Sequence, residues 1–326
     1  MKIYGIVASQ YSGPCYHRVY LPLKEMGADC YFSNVLQEDK LEGVDIVFVN
    51  RLFPLNTVEE VEELKKKYGF KLVVDIDDFW QLDPSHLLHD LWVHSDFTRV
   101  IWETLKIADA ITVTNEQLQR EFKIPVHVLP NAIPNTGQFD VQRIESDLPR
   151  IFYQGSTTHV KDIQLLKGPM RRLQRNKFRT VLAGFHKDVP EWHIIADAFT
   201  NGLNYDSRII PSSPPDTYYK AYAHADIAVC PLIDTKFNGY KSNLKVLEAA
   251  RVGAAVVASN VGPYKNHKGV LLVNNQTDWF KHLNKLINDR NYTIEKGQEA
   301  KEYCSRKFNY QSINAERKQI FESLVS

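Results

Sequence analysis

Residues 237–259 read FNGYKSNLKVLEAARVGAAVVAS: two lysines and a serine, then an apolar helix pattern, then an apolar strand pattern. Ser242 is a good N-cap residue type, and Gly253 follows the last periodic residue as a stop, so the spacing predicts a helix between them. At 100° per residue, Lys241, Lys245 and Glu248 fall within roughly 60° of one another on one face. Val246, Leu247 and Ala250 fall on the opposite face, as a core-facing stripe should. A helix start has free N–H groups and the positive end of a dipole, which suits an anion. Two lysines added there suggest a phosphate site, and a solvated charged face is the plainer alternative.

The same alternation of short apolar runs and helical patterns extends in both directions, which argues for parallel α/β architecture. KIYGIVA, ADCYFS, DIVFVN, KLVVDI, AITVT and VHVLP read as strands in the first half, with VEEVEELKKKYG and FTRVIWETLKIAD as helices between them. The polar, breaker-rich passage PNAIPNTGQFDVQRIESDLP reads as a linker. After it come RIFYQG, RTVLAGF, SRIIP, DIAVCPL, AAVVAS and GVLLVN, and from Thr277 onward the pattern is helical. The expected fold is α/β, with two Rossmann-like, doubly wound parallel-sheet domains facing a cleft and helices at the C-terminus. The boundaries are a first domain over 1–130, a linker over 131–149, a second domain over 150–308, and a last helix over 309–326 that packs back toward the first domain. Ligands favour the carboxyl ends of strands in such sheets. Lys241 to Glu248 follow the strand DIAVCPL and so belong at such an edge, which favours the phosphate reading over the solvated one.

Composition sets limits. A chain of 326 residues with 44% apolar and 24% charged residues is long enough for two ordinary domains, and it carries no low-complexity tract. A net charge of +1 gives no global reason for a polyanionic partner. Cys15, Cys30, Cys230 and Cys304 are scattered without zinc-like spacing, which reads as reduced structural thiols. No apolar run approaches the ~20 residues that span a bilayer. MKIYGIVAS lacks the long apolar core of an export signal, so a cytoplasmic location is expected.

Several segments resemble one known family, the retaining glycosyltransferases of the GT-B fold, family 4 type (glycosyl transferases group 1), in a divergent form that leaves a phage type open. ADAITVTNEQLQREF followed by VHVLPNAI is similar to the family's strand–helix–strand ending in an "IPNG" turn. HADIAVCPL resembles its "ADvfvlPS" strand, and KVLEAARVGAAVVASNVGPY resembles "PvLEAmAcGtPVVAsdvGG", the most specific piece. RIFYQGSTTHVKDIQLL resembles the variant "GSpTHrkDl". The resemblance implies that Glu248 stands where the second Glu of a Glu-x7-Glu motif holds the ribose hydroxyls of a nucleotide. A carboxylate is an acceptor-only group able to take both vicinal hydroxyls. It also places Lys161 beside the donor diphosphate, with Ser156 standing where the family has the pairing arginine and His159 nearby. Ser242, Asn243 and Leu244 match the helix-start turn whose N–H groups face that diphosphate, and Lys241 and Lys245 add charge there. Eight residues before Glu248 the sequence has Tyr240 rather than the first Glu, so sugar recognition does not transfer; Asn238 and Asp234 stand as substitutes.

In the first domain, SQYSGPCYHRVYLPL follows the first strand, and Gly13 resembles the glycine that lets backbone approach the donor phosphate. His17 and Arg18 come next, with Arg18 able to reach a phosphate or acceptor, or to form a surface salt bridge. VVDIDDFW places Asp75, Asp77 and Asp78 at a strand end. Asp75-Ile76-Asp77 matches a D-x-D metal motif, but that motif belongs to a fold with one nucleotide-binding domain, so no bound metal is expected. Asp77 and Asp78 are read as bordering the acceptor, where a carboxylate could take a proton from a hydroxyl. Trp80 lies in an aromatic-rich run suited either to sugar stacking or to an ordinary core. His86, His89 and His94 lack zinc spacing.

The implied reaction moves a sugar from a UDP- or GDP-linked donor to a hydroxyl acceptor, with retention. Lys161 and Lys241 serve the leaving group, and the nucleotide sugar is a co-substrate rather than a cofactor. The acceptor is a glycan or small molecule. The run KGPMRRLQRNKFR, with six basic residues and no acid, keeps open a DNA acceptor carrying hydroxymethylated bases. A nucleotide-sugar 2-epimerase and a non-enzymatic two-domain ligand-binding module complete the alternatives. The oligomeric state is not legible.

Overall fold

A computed structural model of the chain describes residues 1–8, 12–84, 86–174, 177–202, 206–265 and 267–326. By contacts the chain divides into two compact units. The first is Met1–Asn131 with Tyr240–Ser242 and Tyr310–Ser326; the second is Ala132–Gly239 with Asn243–Asn309.

The first unit holds six strands: β1 (Lys2–Ile6), β2 (Asp29–Ser33), β3 (Ile46–Asn50), β4 (Lys71–Ile76), β5 (Ala110–Val113) and β6 (His127–Val128). They form one parallel sheet in the order β2-β1-β3-β4-β5-β6. Strands covered on both faces read as continuous apolar runs, and β3, buried at every residue, shows this. Helix Val58–Tyr68 illustrates the local signals: Thr57 and Glu60 form a capping box, and Gly69 ends the helix at φ 74°. The last helix, Tyr310–Val325, belongs to this unit. Its Ile320 and Phe321 pack with Ile3, Val19, Leu23 and Phe48, and the Asn314 amide donates to the Pro22 carbonyl.

The second unit holds β7 (Arg150–Gln154), β8 (Arg179–Phe185), β9 (Ser207–Pro211), β10 (Ile227–Cys230), β11 (Ala255–Ser259) and β12 (Val270–Val273), again all parallel, in the order β12-β11-β10-β7-β8-β9. The strand order reverses between β7 and β10, and the crevice beyond their carboxyl ends is where such sheets place ligands. The segment read as a linker lies along this unit: Phe139 packs on Tyr219, and Ile144 N–H donates to the Ala223 carbonyl. Gly262 makes a close approach here, since a Cβ on it would fall 2.2 Å from the Gly239 carbonyl oxygen. That contact sets the turn Lys236–Gly239 against Gly262–Tyr264.

The helix expected after Ser242 runs from Leu244 to Arg251, with Asn243 as its N-cap and no side-chain cap bond. Ser242 is drawn off instead: its hydroxyl accepts from the Asn131 amide, inside the first unit. Lys241 therefore lies outside the helix, and Glu248 is buried along with Val246, Leu247, Ala249 and Ala250. The charged face expected from periodicity is not a solvated stripe.

One buried ion pair organises the first unit. Arg18, 1% exposed, grips Asp75, 0% exposed, through Nε–Oδ2 at 2.9 Å and Nη2–Oδ1 at 2.6 Å. Its Nη1 donates to the Leu129 carbonyl and to Asn131 Oδ1, while Thr112 and Asn50 donate to Asp75. The helix after β1 is thus tied to β3, β4, β5 and the end of β6. Removing one partner leaves an uncompensated buried charge, so Asp75→Ala is expected to cost about 3–5 kcal/mol. The check is hydrogen exchange at β1 and β4 amides: protection falls steeply in Asp75→Ala and less in the double variant Arg18→Met/Asp75→Leu.

Candidate functional site

The arrangement at the β7/β10 switch point centres on Glu248. Its carboxylate accepts from the Tyr218 hydroxyl at Oε1 and from the Tyr222 hydroxyl at Oε2, the latter at 2.6 Å. The Tyr219 hydroxyl donates to the Glu248 carbonyl at 2.8 Å. Burial pushes the Glu248 carboxyl up to about 7, against the two tyrosine hydroxyls and the Lys245 ammonium, which pull it down. Lys245 also acts on the acidity of Cys230 and Asp162, and its Nζ lies 5.5 Å from the centre of the Tyr153 ring. One cation therefore overlooks the ends of β7 and β10.

After β7, Ser156 and Thr158 share a hydroxyl hydrogen bond of 2.7 Å, and a 3-10 turn, Thr157–His159, leads to the exposed Lys161. Asp162 stitches this loop to the one after β10: it accepts from His159 Nδ1 at 2.7 Å, from Ile233 N–H and from the Asn238 amide. Burial works to raise the Asp162 carboxyl, but His159, the Ile233 N–H and Lys245 hold it below the usual carboxylate range. Asn238 donates its amide N–H groups to Asp162 and the Ile233 carbonyl, which fixes its side chain in place. Tyr240, at that eighth position, stacks on Phe79 at 4.3 Å and donates to Glu121, all within the first unit. Asn243 accepts at its carbonyl from Val246 and Leu247 N–H, so the helix begins at Leu244.

The second unit therefore brings together Ser156, His159, Lys161, Asn243, Leu244, Lys245 and Glu248. Lys241 and Ser242 go with the first unit instead. The Lys241 ammonium pairs with Asp78 at 3.1 Å, both side chains less than one-fifth exposed.

The first unit corrects four expectations. Arg18 is a buried structural cation, so it does not serve an acceptor. His17 is buried, and burial and the adjacent Arg18 guanidinium bring it down to about 4, so it is a neutral interior side chain. Trp80 is 3% exposed and packs edge-on to Trp102 and Phe122 at 5.1 and 5.3 Å, which makes it core rather than a stacking platform. Asp77 is clamped by Arg51 at 2.6 and 3.0 Å. Burial works to raise its carboxyl, yet Arg51, Asn50 and Arg18 keep it below the usual range, which makes it a poor proton acceptor. With Asp75 held by Arg18 and Asp77 by Arg51, the D-x-D pair is already spent on arginines. Among the described residues no group of three or more His, Cys, Asp or Glu could hold a metal ion.

Gly13 opens a short helix after β1, and among the described residues nothing falls within 4 Å of a Cβ position on it. Ser9, Gln10 and Tyr11 of the same loop fall outside the described residues. In the basic run Lys167 pairs with Asp197, Arg171 with Asn201, Arg172 with the Phe280 ring, and Arg179 with Asp147 and Asp206. Arg175 falls outside the described residues. Lys167 and Arg179 are thus matched by carboxylates, while Arg171 and Arg172 meet uncharged partners. No described helix is long and apolar enough to cross a membrane.

Three residues escaped the sequence reading. Tyr218 and Tyr222 precede β10 in YYKAYAH, a segment with no catalytic or binding motif to single it out. Arg51 follows β3 at φ 67°, with Leu52 N–H bonded to the Asn50 carbonyl across it. A non-glycine residue held in that region is strained, a frequent companion of functional sites.

Residues 148–289 match the family model described as glycosyl transferases group 1. A comparison with curated proteins gives no match. Among solved structures, sucrose-phosphate synthase of Thermosynechococcus elongatus aligns with a TM-score of 0.74 at 15% identity, over 99% of each chain. HepE of Anabaena, in complex with UDP and glucose, aligns with a TM-score of 0.70 at 12% identity, over 99% of this chain and 100% of that one. An α,α-trehalose-phosphate synthase of Burkholderia xenovorans aligns with a TM-score of 0.58 at 12% identity, over 88% and 75%. At these identities the structural likeness is one of fold, and the family match supplies the activity class. The chain is a glycosyltransferase of the GT-B fold whose second unit carries a group 1 glycosyltransferase domain.

Proposed function

We propose that the protein transfers a sugar, with retention of anomeric configuration, from a nucleotide-diphosphate donor to a hydroxyl of a glycan or small molecule. The donor nucleotide is held at the β7/β10 edge of the second unit. The carrying observation is Glu248, a buried carboxylate at a strand-order reversal, close to Lys245 and facing hydroxyl donors. A vicinal diol is a pair of hydroxyl donors of the kind this carboxylate already accepts. HepE in complex with UDP-glucose supports a UDP-linked donor for this fold.

In this reading the diphosphate lies at the start of helix Leu244–Arg251, with Lys161 and Lys245 as its cations. As the bond from the anomeric carbon to the phosphate oxygen breaks, negative charge grows on the leaving group. Preoriented ammonium groups and main-chain N–H donors lower that cost. The acceptor oxygen bonds to the same face of the anomeric carbon, and its proton passes to the departing phosphate oxygen. This assignment needs no protein base, in keeping with an Asp77 already committed to Arg51. No metal is invoked, since the charge is met by lysines. Asp78 and Lys241 are proposed to border the acceptor from the first unit.

Calorimetry with UDP and GDP tests the site. Glu248→Ala is expected to weaken the preferred nucleotide at least tenfold, roughly the worth of a charged hydrogen bond. Lys245→Ala is expected to weaken UDP far more than uridine, because its target is the diphosphate. Unchanged affinity in both variants contradicts the assignment.

The carboxyl at about 7 gives a pH dependence. Only the deprotonated form offers both oxygens as acceptors, so UDP affinity is expected to fall about tenfold from pH 8 to pH 6. Glu248→Gln should lose that component and keep only the slope due to the phosphate of UDP itself. An identical slope in both proteins contradicts it.

A further inference from the structure

Three tyrosine hydroxyls converge on Glu248, but they are not equivalent. Tyr219 and Tyr222 are fixed in the core, 0% and 2% exposed, with rings stacked at 5.0 Å and further packed on Phe139 and Phe152. Tyr218, at the start of the 3-10 segment Tyr218–His224, is the one of the three with part of its surface in solvent. Glu248 itself is 2% exposed. Each of its oxygens already has a tyrosine donor: Tyr222 on Oε2 and Tyr218 on Oε1. A diol approaching from solvent therefore meets an acceptor that is both covered and occupied. Of the two occupants, only the one at the rim can leave without repacking the core.

We infer that Tyr218 stands in for the ribose: its hydroxyl holds the Glu248 carboxylate in the nucleotide-free protein, and the vicinal hydroxyls of a nucleoside diphosphate displace it. The inference rests on the reading of Glu248 as the ribose acceptor. It adds that the site is self-occupied and that each binding event breaks one hydrogen bond before making two. An unpaired buried carboxylate is costly, so an internal donor that fills the empty state keeps the second unit intact without nucleotide. The same device lowers the affinity of every hydroxyl ligand by the one bond it must break. A ligand with a single hydroxyl replaces the bond it breaks and gains little, whereas a full diol comes out ahead.

The test is calorimetry at pH 8 with two probes, UDP and 2′-deoxy-UDP, on the wild-type chain, Tyr218→Phe, Tyr222→Phe and Glu248→Gln. Phenylalanine keeps the ring and removes only the hydroxyl. Tyr218→Phe is expected to bind UDP about 5–10-fold more tightly, since a charge-assisted bond no longer has to be broken. Both probes gain that one bond alike, so the preference for UDP over 2′-deoxy-UDP should stay as in the wild-type chain, while Tyr222→Phe should not tighten. Equal or weaker UDP binding in Tyr218→Phe, with Glu248→Gln still impaired, overturns the inference and leaves the ribose site standing. Loss of any effect in Glu248→Gln overturns the ribose site and the inference with it.

Discussion

A carboxylate taken out of water must find donors or take up a proton, and Glu248 is built around that constraint. Its helix is set by a strand-order reversal and by the close approach of Gly262 to Gly239, which fixes the turn ahead of it. Tyrosine hydroxyls from the preceding 3-10 segment meet the carboxylate, and Lys245, one turn earlier on the same helix, supplies a field that favours its charged form. Burial still wins in part and leaves the group balanced near neutral pH. A carboxylate poised in this way is ready to exchange internal hydroxyls for those of a ligand.

The first unit solves a related problem differently. Its strand ends carry Asp75, Asp77 and Asp78, and each is matched by its own cation: Arg18, Arg51 and Lys241. Such matching leaves each of these carboxylates with a cationic partner and the strand ends charge-balanced. The strained backbone at Arg51 is held by its N–H bond to the Asp75 carbonyl and by the fork to Asp77.

Much of the fold was legible because parallel sheets write themselves plainly. Buried strands such as IVFVN and AVVAS are uninterrupted apolar runs, and helices such as Val58–Tyr68 carry caps at both ends. In the second unit, the placing of Glu248 and Lys245 on one helix beyond β10 was legible from their spacing. It was not legible where partners come from elsewhere in the chain. Nothing near Arg18 announces that Asp75, 57 residues on, will bury it. Periodicity put Lys241 on a helix face, but the Asn131–Ser242 bond and the Asp78 pair hold residues 241 and 242 outside the helix. Trp80 could be core or platform from composition alone, and only the packing of Trp102 and Phe122 decided it.

The central claim is that the second unit grips a nucleoside diphosphate by its sugar and its phosphates. A crystal structure of the protein grown with UDP tests it directly. The account predicts both ribose hydroxyls within hydrogen-bond distance of the Glu248 carboxylate, with the diphosphate between Lys161, Lys245 and the N–H groups of Leu244 and Lys245. Nucleotide density elsewhere, with Glu248 still closed over by Tyr218 and Tyr222, would contradict it.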